Sequence, residues 1–396
     1  MRNPPLTLRQ RDPAILPARR AAIMAAAGGR PVVVFGMGSA LGGGTRSHGG
    51  MRFLTGWDSH ESASLLVMTR AGCHLLLTSP FMEPAARETV PELAPRYLPQ
   101  ALWPQHLRDL LAGQAPVLIG EAEMPMGLYQ PLAPILAGGE DFTPVLDAAR
   151  QIKAPAAIAL HQAGAEICDH LFAALPEAIK IGRTGRESQR ILEDTALRLG
   201  AEYCRTWLTL RPQADHPRYW PEETGRAAAL GDQMLFGVAL TVDGHWAHGL
   251  RMGHIGAVPD TIAQMHAHVQ TALDAGLAAL RPDHPVSDAV RAMAAATDLS
   301  ATAFGFAELR QFRTGHGLGL TYEEPGLTAA FPQRFGAYPE TMPKEDGPLL
   351  REGMILELHP NLFVPGHGGA ALGQMICITN DGARLMLTAP TEVIAL

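Results

Sequence analysis

Over the first 150 residues, short apolar runs alternate with segments of helical period. "RPVVVFG" (30–36), "SASLLVMT" (62–69), "CHLLLTS" (73–79) and "APVLIGE" (115–121) read as strands, mostly buried. Proline-rich connections such as "YLPQALWPQ" separate them. That texture predicts an α/β domain with a mixed sheet. The glycines of "FGMGSALGGG" miss the dinucleotide spacing, and the following "GTRSHGG" is not expected to open a helix, so this stretch reads as a flexible loop.

Past "RQIKAP" (150–155) the pattern changes. Leu160, Ile167, Leu171 and Leu175 recur at roughly helical spacing up to Pro176. In "TGRESQRILEDTALRLG", Thr184 and Glu187 form a capping box, with Gly200 closing the helix. Another helix is expected from about Asp260, as its cap, to Leu280, and a shorter one from near Ser287. The last 90 residues alternate strands with Gly/Pro turns. Two helix pairs leaning on an antiparallel sheet, an α+β domain, follow from this pattern.

Two strand patterns carry chemistry. In "QMLFGVALTVDGHWAHGLRM", Asp243-Gly244 is a two-residue hairpin turn that fixes register. It pairs 242 with 245, 241 with 246, 239 with 248 and 237 with 250. Gly237, Ala239, Thr241, Trp246, His248 and Leu250 then share a face, on which His248 is the only ionisable group. In "GMILELHPNLFVPG" (353–366), Ile355, Glu357 and His359 alternate with Leu356 and Leu358, and Pro360 ends the ladder. A lone histidine at a strand end is ordinarily a solvated one. His316 is a third candidate, set among Gly315, Gly317 and Gly319, which let the backbone approach something closely. His161, His266, His268 and His284 lie on predicted helices or turns and are expected to face water.

Length adds that 396 residues exceed one ordinary core, so two domains are expected, 1–152 and 153–396. Hydrophobic residues at 47% and charged ones at 18% fit a soluble globular protein. A formal charge of -7 argues against nucleic acid or an anionic membrane as the main partner. The four cysteines form no CxxC, which predicts reduced thiols and no zinc knuckle. The basic-then-apolar "RRAAIMAAAGG" is short and reads as a helix face rather than a secretory signal. No run is long enough to span a membrane, and a cytoplasmic location is expected.

Several of these segments together resemble the creatinase/prolidase/methionine aminopeptidase (M24) family, the pita-bread fold. They are "MRFLTGW" (51–57), "RQIKAPAAIAL", "GDQML" with "VDGHWAHGLR", "RTGHGLGL" and "GMILELHPNLFVPGHGG". The resemblance implies a creatinase-type α/β N-terminal domain followed by an α+β catalytic domain, and a homodimer. It also implies that the family's peptidases hold two metal ions with two aspartates, one histidine and two glutamates. Carried over by position, these ligands fall on Gly237, His248, His316, His359 and Gly373. Only His316 is unchanged, so a dinuclear Mn or Co centre is not expected, nor an ordinary aminopeptidase or prolidase.

Two of the replaced positions became histidine. His248, His316 and His359 therefore form a candidate three-imidazole site for one transition-metal ion, zinc foremost, with iron, copper or nickel as alternatives. The competing reading is a decayed site whose three histidines bond to one another or to water. Glu357 would orient a ligand or a water. Glu323, where the peptidases' second catalytic histidine falls, would act as general acid or base beside His316. The family's metal-free creatinase has its catalytic histidine where Trp220 stands, so creatinase activity itself is not expected. Trp220, Arg251, Arg313 and Arg52 are the substrate-binding candidates, the arginines for a carboxylate. The expected function is hydrolysis of a C–N bond in a small polar metabolite by a non-peptidase. A metal-dependent lyase or oxygenase, or an inactive binding module, are the alternatives.

Overall fold

The computed structural model describes residues 5–212, 225–305, 310–331, 334–335, 338–339 and 346–396. It divides into two compact units, Leu6–Arg150 with Gly319–Glu324, and Gln151–Leu318 with Pro325–Leu396.

The N-terminal unit holds a six-stranded sheet. Its strands are β1 (Val32–Met37), β2 (Ala63–Thr69), β3 (Gly72–Leu77), β4 (Arg96–Tyr97), β5 (Val117–Ile119) and β6 (Glu140–Asp141), in the order β4-β3-β2-β1-β5-β6. β1 pairs antiparallel with β2 and parallel with β5, so the sheet is mixed as expected. Apolar clusters cover both faces, which is why these strands read as continuous apolar runs.

The stretch expected to be a flexible loop is different. Arg46–Thr55 is a helix, opened by the Thr45 hydroxyl accepting from His48 N and closed by Gly56 in the left-handed region. Nine of its residues, Ser47 to Thr55, are buried. Tertiary burial overrides the poor intrinsic propensity of "RSHGG", and the cap at Thr45 was the missed signal.

In the C-terminal unit, β7 (Tyr203–Pro212), β8 (Asp232–Val242) and β9 (His245–His254) form a meander. Asp243 and Gly244 have φ of 46° and 73°, as a two-residue hairpin turn requires. The register matches expectation at all four pairs, including Ala239 with His248 and Gly237 with Leu250. The helix Pro155–Ala178 packs on this sheet. A Cβ on Gly164 would lie 2.8 Å from that of Ala247, so glycine is what allows that close approach.

β10 (Gly315–Gly317) comes next, then a short pair β11 (Arg334–Phe335) and β12 (Tyr338–Pro339). The remaining strands are β13 (Ile355–Leu358), β14 (Asn361–Val364), β15 (Gly368–Ala371), β16 (Gln374–Thr379), β17 (Gly382–Leu385) and β18 (Ile394–Ala395). One sheet runs β10-β13-β16-β17 and the other β18-β9-β8-β7. They approach where Gly373 N donates to Leu250 O at 3.0 Å. The helices Gly185–Arg198, Asp260–Ala279 and Ser287–Phe304 complete two helix pairs.

The Thr184/Glu187 capping box forms as read. Asp260 does not cap: it is the first helical residue, Pro259 holds the cap position, and no side chain bonds there. His161 and His268 do not face water but are buried, because the helix faces that carry them point into the core. No described helix is long and apolar enough to cross a membrane.

Candidate metal centre

Three strands carry the site. His316 on β10 faces Glu357 on β13 as a direct cross-strand pair, so their side chains share a face. His359 follows two residues after Glu357 on the same side. The hairpin register brings His248 in from the second sheet.

Ligand atoms of His248, His316, Glu357 and His359 all lie within 4.8 Å of one another, and all four residues are buried. The ring centroids are 5.4 Å apart for His248 and His316, 5.9 Å for His248 and His359, and 5.3 Å for His316 and His359. Trp207 meets His248 edge-on at 5.6 Å, and Phe312 flanks His359 at 5.5 Å.

Hydrogen bonds fix one tautomer. His316 Nδ1 donates to Gly317 O at 3.0 Å, which turns the lone pair of Nε2 toward the cluster. A backbone carbonyl on the remote ring nitrogen is what usually sets a metal-binding imidazole. With His316 Nε2 as the acceptor, His248 Nδ1 donates to it at 3.3 Å, a bond between two of the histidines of the kind the competing reading expects. Glu357 Oε2 lies against His248 Nδ1 and 3.5 Å from His316 Nε2. Neither Glu357 oxygen meets a donor in hydrogen-bonding geometry, and His359 Nδ1 is buried without a partner. Burial pushes the Glu357 carboxyl up to about 8, against the pull of His316 and Arg251. His359 is driven well below its ordinary value by burial and then by the neighbouring His316 and His248. These imidazole nitrogens and carboxylate oxygens are gathered in a dry place, with no arginine or lysine in contact with Glu357 among the described residues. The set fits a single divalent ion.

The other sequence candidates stand elsewhere. Arg251 is wholly buried and unavailable to a substrate carboxylate. Its guanidinium donates to the carbonyls of Leu250, Gly373, Ala389 and Pro390 at 2.7–2.8 Å and stacks over Phe172. It clamps the site's wall. Arg313 is half-buried, with Nη1 donating to Thr328 O at 3.2 Å, and its charge acts on His359.

Arg52 belongs to the N-terminal unit, where it is buried 3.6 Å from Asp58. Glu323 is exposed and lies in the segment Gly319–Glu324 that packs with that unit, outside the cluster. Trp220 lies outside the described residues.

Sequence reading placed Glu357 beside the cluster rather than in it. The signal was available: it is the one charged residue in a strand whose neighbours Ile355, Leu356 and Leu358 are all apolar, so both faces of that strand are core.

A mixed-sheet N-terminal unit followed by paired helices around two largely antiparallel sheets is the architecture of prolidases and aminopeptidases P. The prolidase of Pyrococcus horikoshii superposes with a TM-score of 0.76 at 17% identity, over 96% of this chain and 99% of its own. The dipeptidase PepE of Mycobacterium ulcerans gives 0.73 at 22%, over 97% and 98%.

Residues 159–380 match the family described as "Metallopeptidase family M24", and the chain belongs to that family of hydrolases. Among curated relatives, the probable dipeptidase PepE of Mycobacterium tuberculosis is 29% identical over 302 residues, 74% of this chain and 73% of the relative.

Proposed function

We propose that this protein hydrolyses a carbon–nitrogen bond in a small polar substrate with one divalent ion held by His248, His316 and His359. The reading rests on the convergence of these buried donors within 4.8 Å. Gly237 and Gly373 stand where further ligands would be needed and offer no side-chain donor, which supports one ion rather than two. When bound, the ion supplies Lewis acidity toward a carbonyl oxygen or a water. Arg313, half-buried and near His359, suits a substrate carboxylate. Trp207 and Phe312 limit the access of bulk water to the imidazoles. As the acid within the cluster, Glu357 is better placed than exposed Glu323 to carry a proton.

The test is metal analysis of the purified full chain, paired with amine release from dipeptides and from small amides and amidines. One divalent ion per chain with release from the small substrates supports the reading. Two ions per chain with efficient dipeptide cleavage sinks it. Bound iron or copper with dioxygen consumption would favour the oxygenase alternative.

A further inference from the structure

Gly373 shapes the cluster from the side. A Cβ built there would overlap Glu357 Oε1, and would stand 2.5 Å from Leu250 N and 2.9 Å from Leu250 Cγ. The space a side chain at 373 would enter is already filled by the carboxylate of Glu357 and by Leu250. The glycine's backbone cannot retreat, since its N–H is tied to Leu250 O and its carbonyl to Arg251 Nη1 at 2.7 Å. Glu357 is itself held by the cross-strand pairs to His316 on one side and Met375 on the other.

A fully buried carboxylate normally collects hydrogen bonds or a cationic side chain. Here no contact to its oxygens has hydrogen-bonding geometry, and its charged-residue contacts within 4 Å, among the described residues, are the imidazoles of His248, against Oε2, and His316. No arginine or lysine lies within 4 Å of this acid among the described residues, and a metal ion would provide the positive charge.

We propose that Glu357 is a direct fourth ligand, making the centre a three-histidine, one-carboxylate site, and that glycine at 373 is the residue that admits it. The inference rests on the ion proposed above and reassigns Glu357 from proton carrier to ligand. One carboxylate lowers the net charge of a bound dication to +1, which suits a buried site better than three neutral donors do. The chemical consequence concerns the choice of ion. Four protein donors fill a tetrahedral zinc shell, whereas an ion that takes five or six ligands keeps positions open for substrate.

The experiment uses chelator-stripped full chain titrated with Zn²⁺ in competition with a chromophoric chelator, and with Co²⁺ read by its visible absorption. Glu357→Gln keeps the shape while removing the charge, and Gly373→Ala displaces the carboxylate. A residue that merely orients a ligand costs about 10–100-fold in affinity when changed. A direct ligand is expected to cost more than that in Glu357→Gln and to alter the Co²⁺ band shape, with Gly373→Ala shifting the band in the same sense. Circular dichroism of the stripped variants separates misfolding from ligand loss, and Glu357→Gln alone decides if Gly373→Ala does not fold. Wild type that binds one Co²⁺ with a spectrum unmoved in Glu357→Gln overturns this inference alone. Wild type that binds no ion overturns the single-ion reading with it.

Discussion

Each unit buries a polar cluster, and the two differ in whether arginines balance their carboxylates. In the N-terminal unit, Arg150 lies 3.1 Å from Glu324 and 3.7 Å from Asp147, and Asp147 also accepts from Arg46 Nε at 2.9 Å. Two guanidiniums, that of Arg46 exposed, face two carboxylates, so the group carries its own counter-charges, although Asp147 Oδ1, Arg150 Nε and Glu324 Oε2 are buried without hydrogen-bond partners. In the C-terminal unit, Glu357 sits with three imidazoles and no arginine or lysine within 4 Å among the described residues. The Arg150–Glu324 pair and Glu357 are buried to the same depth. A buried cluster that carries its own counter-charges braces the fold; one that lacks them is, on the proposed reading, a receptacle.

Breaking the self-contained cluster should have the largest effect. Arg150→Met leaves Glu324 without its buried partner and is expected to cost about 3–5 kcal/mol in urea unfolding. Next comes addition of the proposed cation. At 100 times its dissociation constant, Zn²⁺ should stabilise the stripped wild type by about 2.7 kcal/mol, leaving the Arg150 deficit uncorrected.

A pH experiment then sharpens which buried histidines belong to the receptacle. His161 is fully buried, with Nδ1 on Trp246 O at 2.7 Å, and burial lowers it to about 3. The unfolded chain protonates it near 6.5, so its stabilising contribution is whole above that pH and declines as pH falls toward 3. Between pH 6.5 and 5 the loss is about 2 kcal/mol. His161→Gln should flatten that part of the profile without changing Zn²⁺ affinity. The smallest effect is expected from Glu357→Gln in the stripped protein, at most about 1 kcal/mol, because the carboxylate accepts no hydrogen bond to lose. A cost matching that of Arg150→Met would erase the distinction between the clusters.

The sequence made the site's framework readable where a local rule controls it. The Asp243-Gly244 turn sets the hairpin register, and alternation in β13 sets the face shared by Glu357 and His359. What local rules do not control was misread. Arg46–Thr55 is helical because its surroundings bury it, and His161 is internal because a glycine lets its helix sit tightly on the sheet. Arg251 looked like a substrate handle because its four carbonyl partners come from three separate stretches of chain. The return of Gly319–Glu324 to the N-terminal unit depends on Arg150, 174 positions before Glu324, which no window of sequence would connect.

The hairpin turn also sets how fragile the centre is to length change. Side chains on a strand alternate sides, so one extra residue between Val242 and His245 would send the imidazole of His248 to the opposite surface and bring Ala247 or Gly249 into its place. A chain that keeps a donor at this point is thus bound to a loop of fixed size, and an insertion there is expected to abolish the proposed ion capture while sparing most of the core.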